Sequence, residues 1–209
     1  MEKRKLIILL LISFNFFQIK AYKLNKEGAF KVEAPSLFIQ QNDSLHWNKF
    51  LKVEKLYNEN NYPESLDLAF SLLKLDLDLE TRFKPHFLVA QIYRKSNNHS
   101  KSITYYKNSL NTLIRSDTIF FDSENFYSKN SQLSRIYLLL GNEYLRNKEI
   151  DSAKYYYNRT LDVKTLDKKS LSYQASASTN LSGLYMQDSL FDLAKDFALK
   201  AVKIHKKRN

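Results

Sequence analysis

The chain has 209 residues, of which 44% are hydrophobic and 26% charged, a balance that favours a folded globular protein over a disordered one. It contains no Cys, which excludes disulfide bonds, thiol catalysis and Cys-ligated zinc. It has only three Gly and three Pro, which argues against Gly-rich phosphate loops and turn-rich β folds and favours long helices with short connections.

The formal net charge of +11 lies mostly at the two ends of the chain. Residues 1–21 hold four cations and one carboxylate, and residues 200–209 hold five cations and no carboxylate. The remainder therefore carries only +3 of the total +11. Because a nucleic-acid-binding body needs a strongly basic face, no nucleic-acid partner is expected.

Residues 1–21 have the pattern of an export signal. Three basic residues, Lys3 to Lys5, precede an apolar run from Leu6 to Phe17. This run is too short to span a bilayer, which needs about 20 residues. Cleavage is expected after Ala21, although Ile19 is a poor match for the small residue needed three positions before the cut.

An uncleaved anchor formed by the same segment is the alternative, and it is the only membrane association expected. In both cases the protein is expected to be exported, to the periplasm or the cell envelope. Residues 22–43 are predicted to form an extended lead-in, because Gly28 and Pro35 interrupt regular structure. The rest, residues 44–209, is predicted to be helical.

Four stretches of the helical part resemble one another. The clearest copy is "LGNEYLRNKEIDSAKYYYNRTL", from Leu140 to Leu161. Its Tyr144 corresponds to Tyr57, Tyr93 and Tyr185, if the first copy has one residue fewer in its turn. Its Ala153 corresponds to Ser65, Ser102 and Ala194. The predicted units cover about residues 47–79, 83–116, 134–167 and 175–208.

The spacing of the shared positions places them on one face of each helix, where they are expected to pack between helices. Small residues let the second helix of a unit approach its partners closely, and the rings fill the space beside the turn. The predicted packing positions are Tyr57, Tyr93, Leu140, Gly141, Tyr144, Ala153, Tyr157, Leu181, Tyr185, Ala194 and Ala201.

This pattern resembles the tetratricopeptide repeat (TPR) family. Leu140, Gly141, Tyr144, Ala153 and Tyr157 match the family's positions in order, but the usual closing Pro is missing from all four copies. The small residues lie 37, 51 and 41 positions apart, against about 34 for the standard repeat. The resemblance implies an all-α, right-handed α-solenoid of about four helix-turn-helix units, with antiparallel helix pairs longer than standard.

The resemblance also implies a concave surface lined by the first helix of each pair, where family members bind their ligands. The matching positions are Lys55, Gln91, Arg94, Lys95, Arg135, Asn142 and Arg146. They include five cations and no carboxylate, which would favour an acidic segment or a chain-terminal carboxylate. The alternative is that they form ordinary solvated helix faces.

These features predict a non-enzymatic, exported scaffold that binds a protein or peptide. No His–carboxylate pair, nucleophile motif, Gly-rich loop or metal cluster is apparent, so no catalysis, cofactor, metal or small-molecule substrate is expected. Each of the four His residues is interpreted as an ordinary surface or helix-flank residue. The alternative function is a sensory input segment of a bacterial signalling regulator, either truncated or acting with a separate output protein.

Overall fold

The structure, a computed structural model, describes residues 22–24, 30–32, 41–75, 77, 79–116, 129–165 and 167–208. The predicted export signal lies outside these residues. The chain divides into two compact units, Met1–Ser44 and Leu45–Asn209. In the first unit, strands β1 (Tyr22–Leu24) and β2 (Phe30–Val32) pair antiparallel. This pairing adds a hairpin to the extended lead-in that the sequence predicts.

Eight helices follow in the described part of the chain, arranged as four pairs with three residues between the helices of a pair. They are α1 (Gln41–Asn58), α2 (Tyr62–Leu73), α3 (Leu79–Lys95), α4 (His99–Arg115), α5 (Lys129–Arg146), α6 (Ile150–Asp162), α7 (Lys168–Gln187) and α8 (Phe191–Arg208). The second helix of one pair packs on the first helix of the next, as in an α-solenoid. None of the described helices has the apolar length that a membrane crossing requires.

The four turns within the pairs share one backbone structure. In each turn the second residue after the first helix has a left-handed φ, between 56° and 63°. The next residue donates its N–H to a carbonyl five residues earlier, which closes a Schellman-type turn. The left-handed residues are Asn60, Asn97, Lys148 and Ser189, none of them Gly.

These turns correct the alignment of the first copy. Leu56, rather than Tyr57, accepts the turn hydrogen bond that Tyr93, Tyr144 and Tyr185 accept in the other pairs. The predicted shorter turn is therefore wrong, because all four turns have the same length. The residue that corresponds to Gly141 is Val53, which is fully buried.

The two helices of each pair approach each other closely at the positions that correspond to Gly141 and Ala153. In three pairs a Ser hydroxyl there donates to a backbone carbonyl of the opposite helix. The bonds are Ser65 Oγ to Val53 O and Ser102 Oγ to Ala90 O, both 3.0 Å, and Ser182 Oγ to Ala194 O, 2.7 Å. In the third pair the corresponding residues are Gly141 and Ala153, both buried.

A Tyr at the end of the first helix stacks on a ring of the second helix in three pairs. The two rings are always twelve residues apart, and their planes differ by 24° or less. The stacked pairs are Tyr93–Tyr105 at 5.6 Å, Tyr144–Tyr156 at 5.3 Å and Tyr185–Phe197 at 5.3 Å between centroids. These Tyr side chains therefore pack within a pair.

Part of the extra length between repeats lies in longer helices. Helix α4 has 17 residues and α7 has 20, against 12 in α2 and 13 in α6.

Side chains donate hydrogen bonds to backbone carbonyls at the ends of α4 and α6. Lys129 Nζ donates to Ser116 O at 2.5 Å, and Gln174 Nε2 donates to Val163 O at 2.6 Å. Residues 117–128, between α4 and α5, lie outside the described residues.

Candidate functional site

The first helices of the pairs line a cleft of about 440 Å³. Helices α1, α3 and α5 supply nearly all of its wall, and α7 contributes Tyr173. Side chains three or four residues apart share one face of a helix, so Phe83, Phe87, Gln91 and Arg94 project into the cleft from α3. One face of α3 therefore forms the centre of the cleft wall.

The floor of this cleft is apolar. Phe50, Phe83 and Phe87 are 2%, 4% and 8% exposed, so they are almost completely buried. Leu138 and Leu139 of α5 extend the same surface. An apolar floor with a few polar groups above it is the usual composition of a ligand site.

Cations stand over this floor. The Arg135 guanidinium lies 4.5 Å from the centroid of the Phe87 ring, and Lys84 Nζ lies 4.1 Å from that of Trp47. Arg94 donates from Nη2 and Nε to Gln91 Oε1, at 2.7 and 3.1 Å. Within the described part of the chain, neither Arg94 nor Arg135 forms an ion pair with a carboxylate.

The structure corrects the prediction that this helix face has no carboxylate. Glu54 lines the cleft at the position that corresponds to Gln91 and Asn142. The shifted alignment of the first copy placed it elsewhere. A second carboxylate, Glu143, is fully buried on α5 and accepts a hydrogen bond from Arg146 Nη1 at 2.6 Å. Arg146 is therefore paired with a carboxylate of its own helix.

His99 is also more than an ordinary flank residue. Its Nδ1 lies 2.9 Å from Glu143 Oε2 and links the start of α4 to α5. The two residues are 44 positions apart in the chain, so this His–carboxylate pair is not apparent from the sequence. Within the described residues, no group of three His, Asp or Glu residues is arranged to hold a metal ion.

Three of the seven predicted surface residues meet in the cleft, namely Gln91, Arg94 and Arg135. The other four do not line it. Lys95 is exposed outside it, and Lys55 pairs with Glu59 at 3.8 Å. Asn142 Oδ1 accepts hydrogen bonds from Tyr157 and Asn180, at 2.8 and 3.0 Å, and Arg146 pairs with Glu143.

The aromatic floor of the cleft was not predicted from the sequence. Phe83 and Phe87 lie four residues apart, and Phe50 occupies the position in α1 that Phe87 occupies in α3. This recurrence is visible only when the first copy is aligned through Leu56. The correct alignment would have placed Glu54 among the predicted surface residues, at the position of Gln91 and Asn142.

Comparison with known proteins supports this description. Residues 134–164 match the family described as Tetratricopeptide repeat. No protein of established annotation matches the chain. Among solved structures, BtubC (BKLC) from P. vanneervenii superposes with a TM-score of 0.64 at 18% identity, over 83% of this chain and 68% of that one.

Two structures of MamA are also similar in fold. The MamA RS-1 ArsTM double mutant gives a TM-score of 0.58 at 12% identity, over 81% of this chain and 79% of that chain. A second MamA crystal structure gives 0.56 at 13% identity, over 78% and 80%. The predicted all-α solenoid is confirmed by these likenesses, which at such identities concern the fold alone.

Proposed function

We propose that this chain, whose residues 134–164 match the tetratricopeptide repeat family, is a non-enzymatic scaffold whose cleft binds a peptide segment of a partner protein. The fold is that of protein-interaction modules. A peptide side chain would cover the apolar floor formed by Phe50, Phe83 and Phe87. The stacked first helices offer it a continuous surface, as is usual for solenoids.

The observation that carries the proposal is the pair of Arg side chains that line this cleft, Arg94 and Arg135. The lining includes Lys84, Arg94 and Arg135 and one carboxylate, Glu54, so the cleft carries an excess of positive charge. A guanidinium can hold a carboxylate through two parallel, charge-assisted hydrogen bonds. The favoured partner is therefore a segment that combines a carboxylate with an apolar side chain.

Catalysis is not part of the proposal. The His99–Glu143 pair is the His–carboxylate contact found in the described residues, and the Glu143 side chain is 0% exposed. The same carboxylate is already engaged by Arg146. A substrate could not reach it without separating α4 from α5, so the pair is better suited to joining these two helices.

Selection from a phage-displayed random peptide library on the purified protein would test the proposal. We expect the enriched peptides to share a carboxylate and a neighbouring apolar residue. Arg94→Glu and Arg135→Glu should each weaken their binding about tenfold or more, because a repulsive charge replaces an attractive one.

Lys95→Glu is the matched control, since this exposed residue is adjacent to Arg94 but does not line the cleft. It should leave the affinity nearly unchanged. Equal losses in all three variants would indicate a general charge effect. Unchanged binding in all three would show that the peptides bind elsewhere, and either result would refute the proposal.

We also propose that the protein works outside the cytoplasm, in the periplasm or cell envelope. The support is the basic, then apolar, pattern of residues 1–21. Cell fractionation followed by N-terminal sequencing should find the protein in an exported fraction, beginning after Ala21. A protein that keeps residues 1–21 and sediments with membranes would indicate an uncleaved anchor, and a cytoplasmic protein would refute export.

A further inference from the structure

Below the cleft floor lies a buried hydroxyl without a hydrogen-bond partner. Tyr106 of α4 is 0% exposed, and its Oη makes no hydrogen bond with the described residues. Its ring meets the Phe87 ring edge-on, with centroids 5.7 Å apart. A buried hydroxyl that makes no hydrogen bond destabilises the fold, so this one calls for a physical reason.

The next helix pair shows where such a hydroxyl normally finds its acceptor. Tyr157 occupies the same place in α6, four residues after Ala153, as Tyr106 does after Ser102. Tyr157 Oη donates to Asn142 Oδ1 at 2.8 Å. The residue of α3 that corresponds to Asn142 is Gln91.

Gln91 is present, but its side-chain oxygen is already in use. Gln91 is 6% exposed, and its Oε1 accepts hydrogen bonds from both Nη2 and Nε of Arg94, at 2.7 and 3.1 Å. An amide oxygen has two acceptor sites, and Arg94 occupies both. The hydroxyl of Tyr106 also lies within electrostatic range of Arg94, Glu143 and Arg135. Burial raises the pKa of Tyr106, so the phenol keeps the proton that it would donate.

We infer that a carboxylate bound in the cleft draws Arg94 away from Gln91, and that the freed Gln91 oxygen then accepts a hydrogen bond from Tyr106. The inference rests on the proposed function, because it requires an anionic ligand at Arg94. A carboxylate competes well for the guanidinium, since its hydrogen bonds join two ions, whereas the Gln91 oxygen is neutral. Tyr106 and Gln91 act here as positioning residues that strengthen anion binding without touching the anion.

The first test uses the empty protein and compares Tyr106→Phe with Tyr157→Phe in thermal unfolding. Tyr106→Phe removes an unsatisfied hydroxyl and should raise the Tm by about 2–4 °C. Tyr157→Phe removes a hydrogen bond that is made and should lower it by a similar amount. If Tyr106→Phe lowers the Tm as much as Tyr157→Phe does, the hydroxyl is already bonded in the empty protein and the inference fails.

The second test measures the binding of 3-phenylpropionate, which joins a carboxylate to a ring, with 3-phenylpropionamide as the neutral control. Tyr106→Phe should bind the carboxylate about fivefold more weakly than the wild type, because one hydrogen bond is no longer gained. Its affinity for the amide should be unchanged. Tyr157→Phe should retain wild-type affinity for both compounds.

The outcomes separate this inference from the proposed function. Suppose that Arg94→Glu abolishes carboxylate binding while Tyr106→Phe binds as tightly as the wild type. The cleft would then be an anion site without the predicted rearrangement, and only the inference would fail. If the wild type does not bind 3-phenylpropionate, the inference is likewise overturned, whereas the peptide selection still decides the proposed function.

Discussion

At Gly141 the absence of a side chain makes room for a ring. A Cβ there would lie 2.5 Å from two ring carbons of Tyr157, which is closer than any relaxed contact. The sequence pattern identifies Gly141 as a close-packing position. It does not identify Tyr157 as the neighbour, because only the crossing of α5 and α6 brings that ring to the glycine.

Gly141→Ala should destabilise the fold by about 2 kcal/mol, because overpacking outweighs the gain in helix propensity. Gly183→Ala is the matched control, since a Cβ at this exposed helical glycine would meet nothing within 4 Å. We expect that variant to be stabilised by up to about 1 kcal/mol. Urea unfolding of both variants measures the difference, and a neutral Gly141→Ala would contradict the packing described.

His86 on α3 should make the stability depend on pH. Burial, and then the nearby Arg82, lower the pKa of this His from 6.5 to about 4. As the pH falls below 6.5, the unfolded chain takes up a proton that the folded protein refuses until about pH 4. The contribution of His86 to the free energy of unfolding is therefore fully present above pH 6.5. It is lost progressively as the pH falls from 6.5 to about 4.

We expect this loss to be about 2 kcal/mol, after allowing for the partial solvent exposure of the ring. Urea unfolding at pH about 7 and about 4.5 should show it in the wild type. Because carboxylates also titrate in this range, His86→Gln serves as the comparison and should lose distinctly less stability. Equal losses in the two proteins would show that His86 does not cause the pH dependence.

Between elements, the link from α4 to α5 depends on a buried charge. Glu143 is bonded to His99 of the preceding pair and to Arg146 of its own helix. Glu143→Gln keeps the shape but removes the charge, and it should cost about 2–3 kcal/mol of folding stability. Glu59→Gln, which alters an exposed pair with Lys55, should cost less than about 0.5 kcal/mol. Chemical denaturation of the two variants would show comparable losses if the buried link were unimportant.

The helices and their pairing could be predicted from the sequence, but the alignment of the first pair could not. Small residues, Tyr positions and polar turns recur locally, so a pattern in one stretch predicts a helix pair by itself. In the first pair, Tyr57 follows directly after Leu56. Because the other three copies have a Tyr at the corresponding position, the sequence alignment selects Tyr57. The turn geometry assigns the position to Leu56 instead. The error of one residue was enough to hide Glu54.

At the scale of the whole molecule, the cleft results from stacking. Gln91, Arg94 and Arg135 were predicted to share a surface, and α3 and α5 do bring them into one cleft. Lys55, Lys95, Asn142 and Arg146 were predicted from the same reasoning and lie elsewhere. Their neighbours come from other helices or from short-range pairs, and a helical period alone cannot specify those contacts. The surroundings of the Tyr106 hydroxyl and the contact between His99 and Glu143 also depend on residues of other helices. The sequence pattern therefore could not predict them.

If the protein binds its partner through this cleft, a crosslinker placed in the cleft should capture that partner. A photoreactive phenylalanine analogue would replace Asn58, an exposed residue that lines the cleft. In a separate control, the same analogue would replace Leu199, which is 57% exposed on α8. Crosslinking in the native cell, followed by mass spectrometry, would identify the proteins captured at each position.

We expect a partner that is captured from position 58 and not from position 199. Its capture should disappear when Arg94→Glu and Arg135→Glu are combined, and it should persist with Lys95→Glu. The same proteins captured at both positions, or a capture at position 58 that survives the double charge reversal, would contradict the assignment of the cleft as the binding surface.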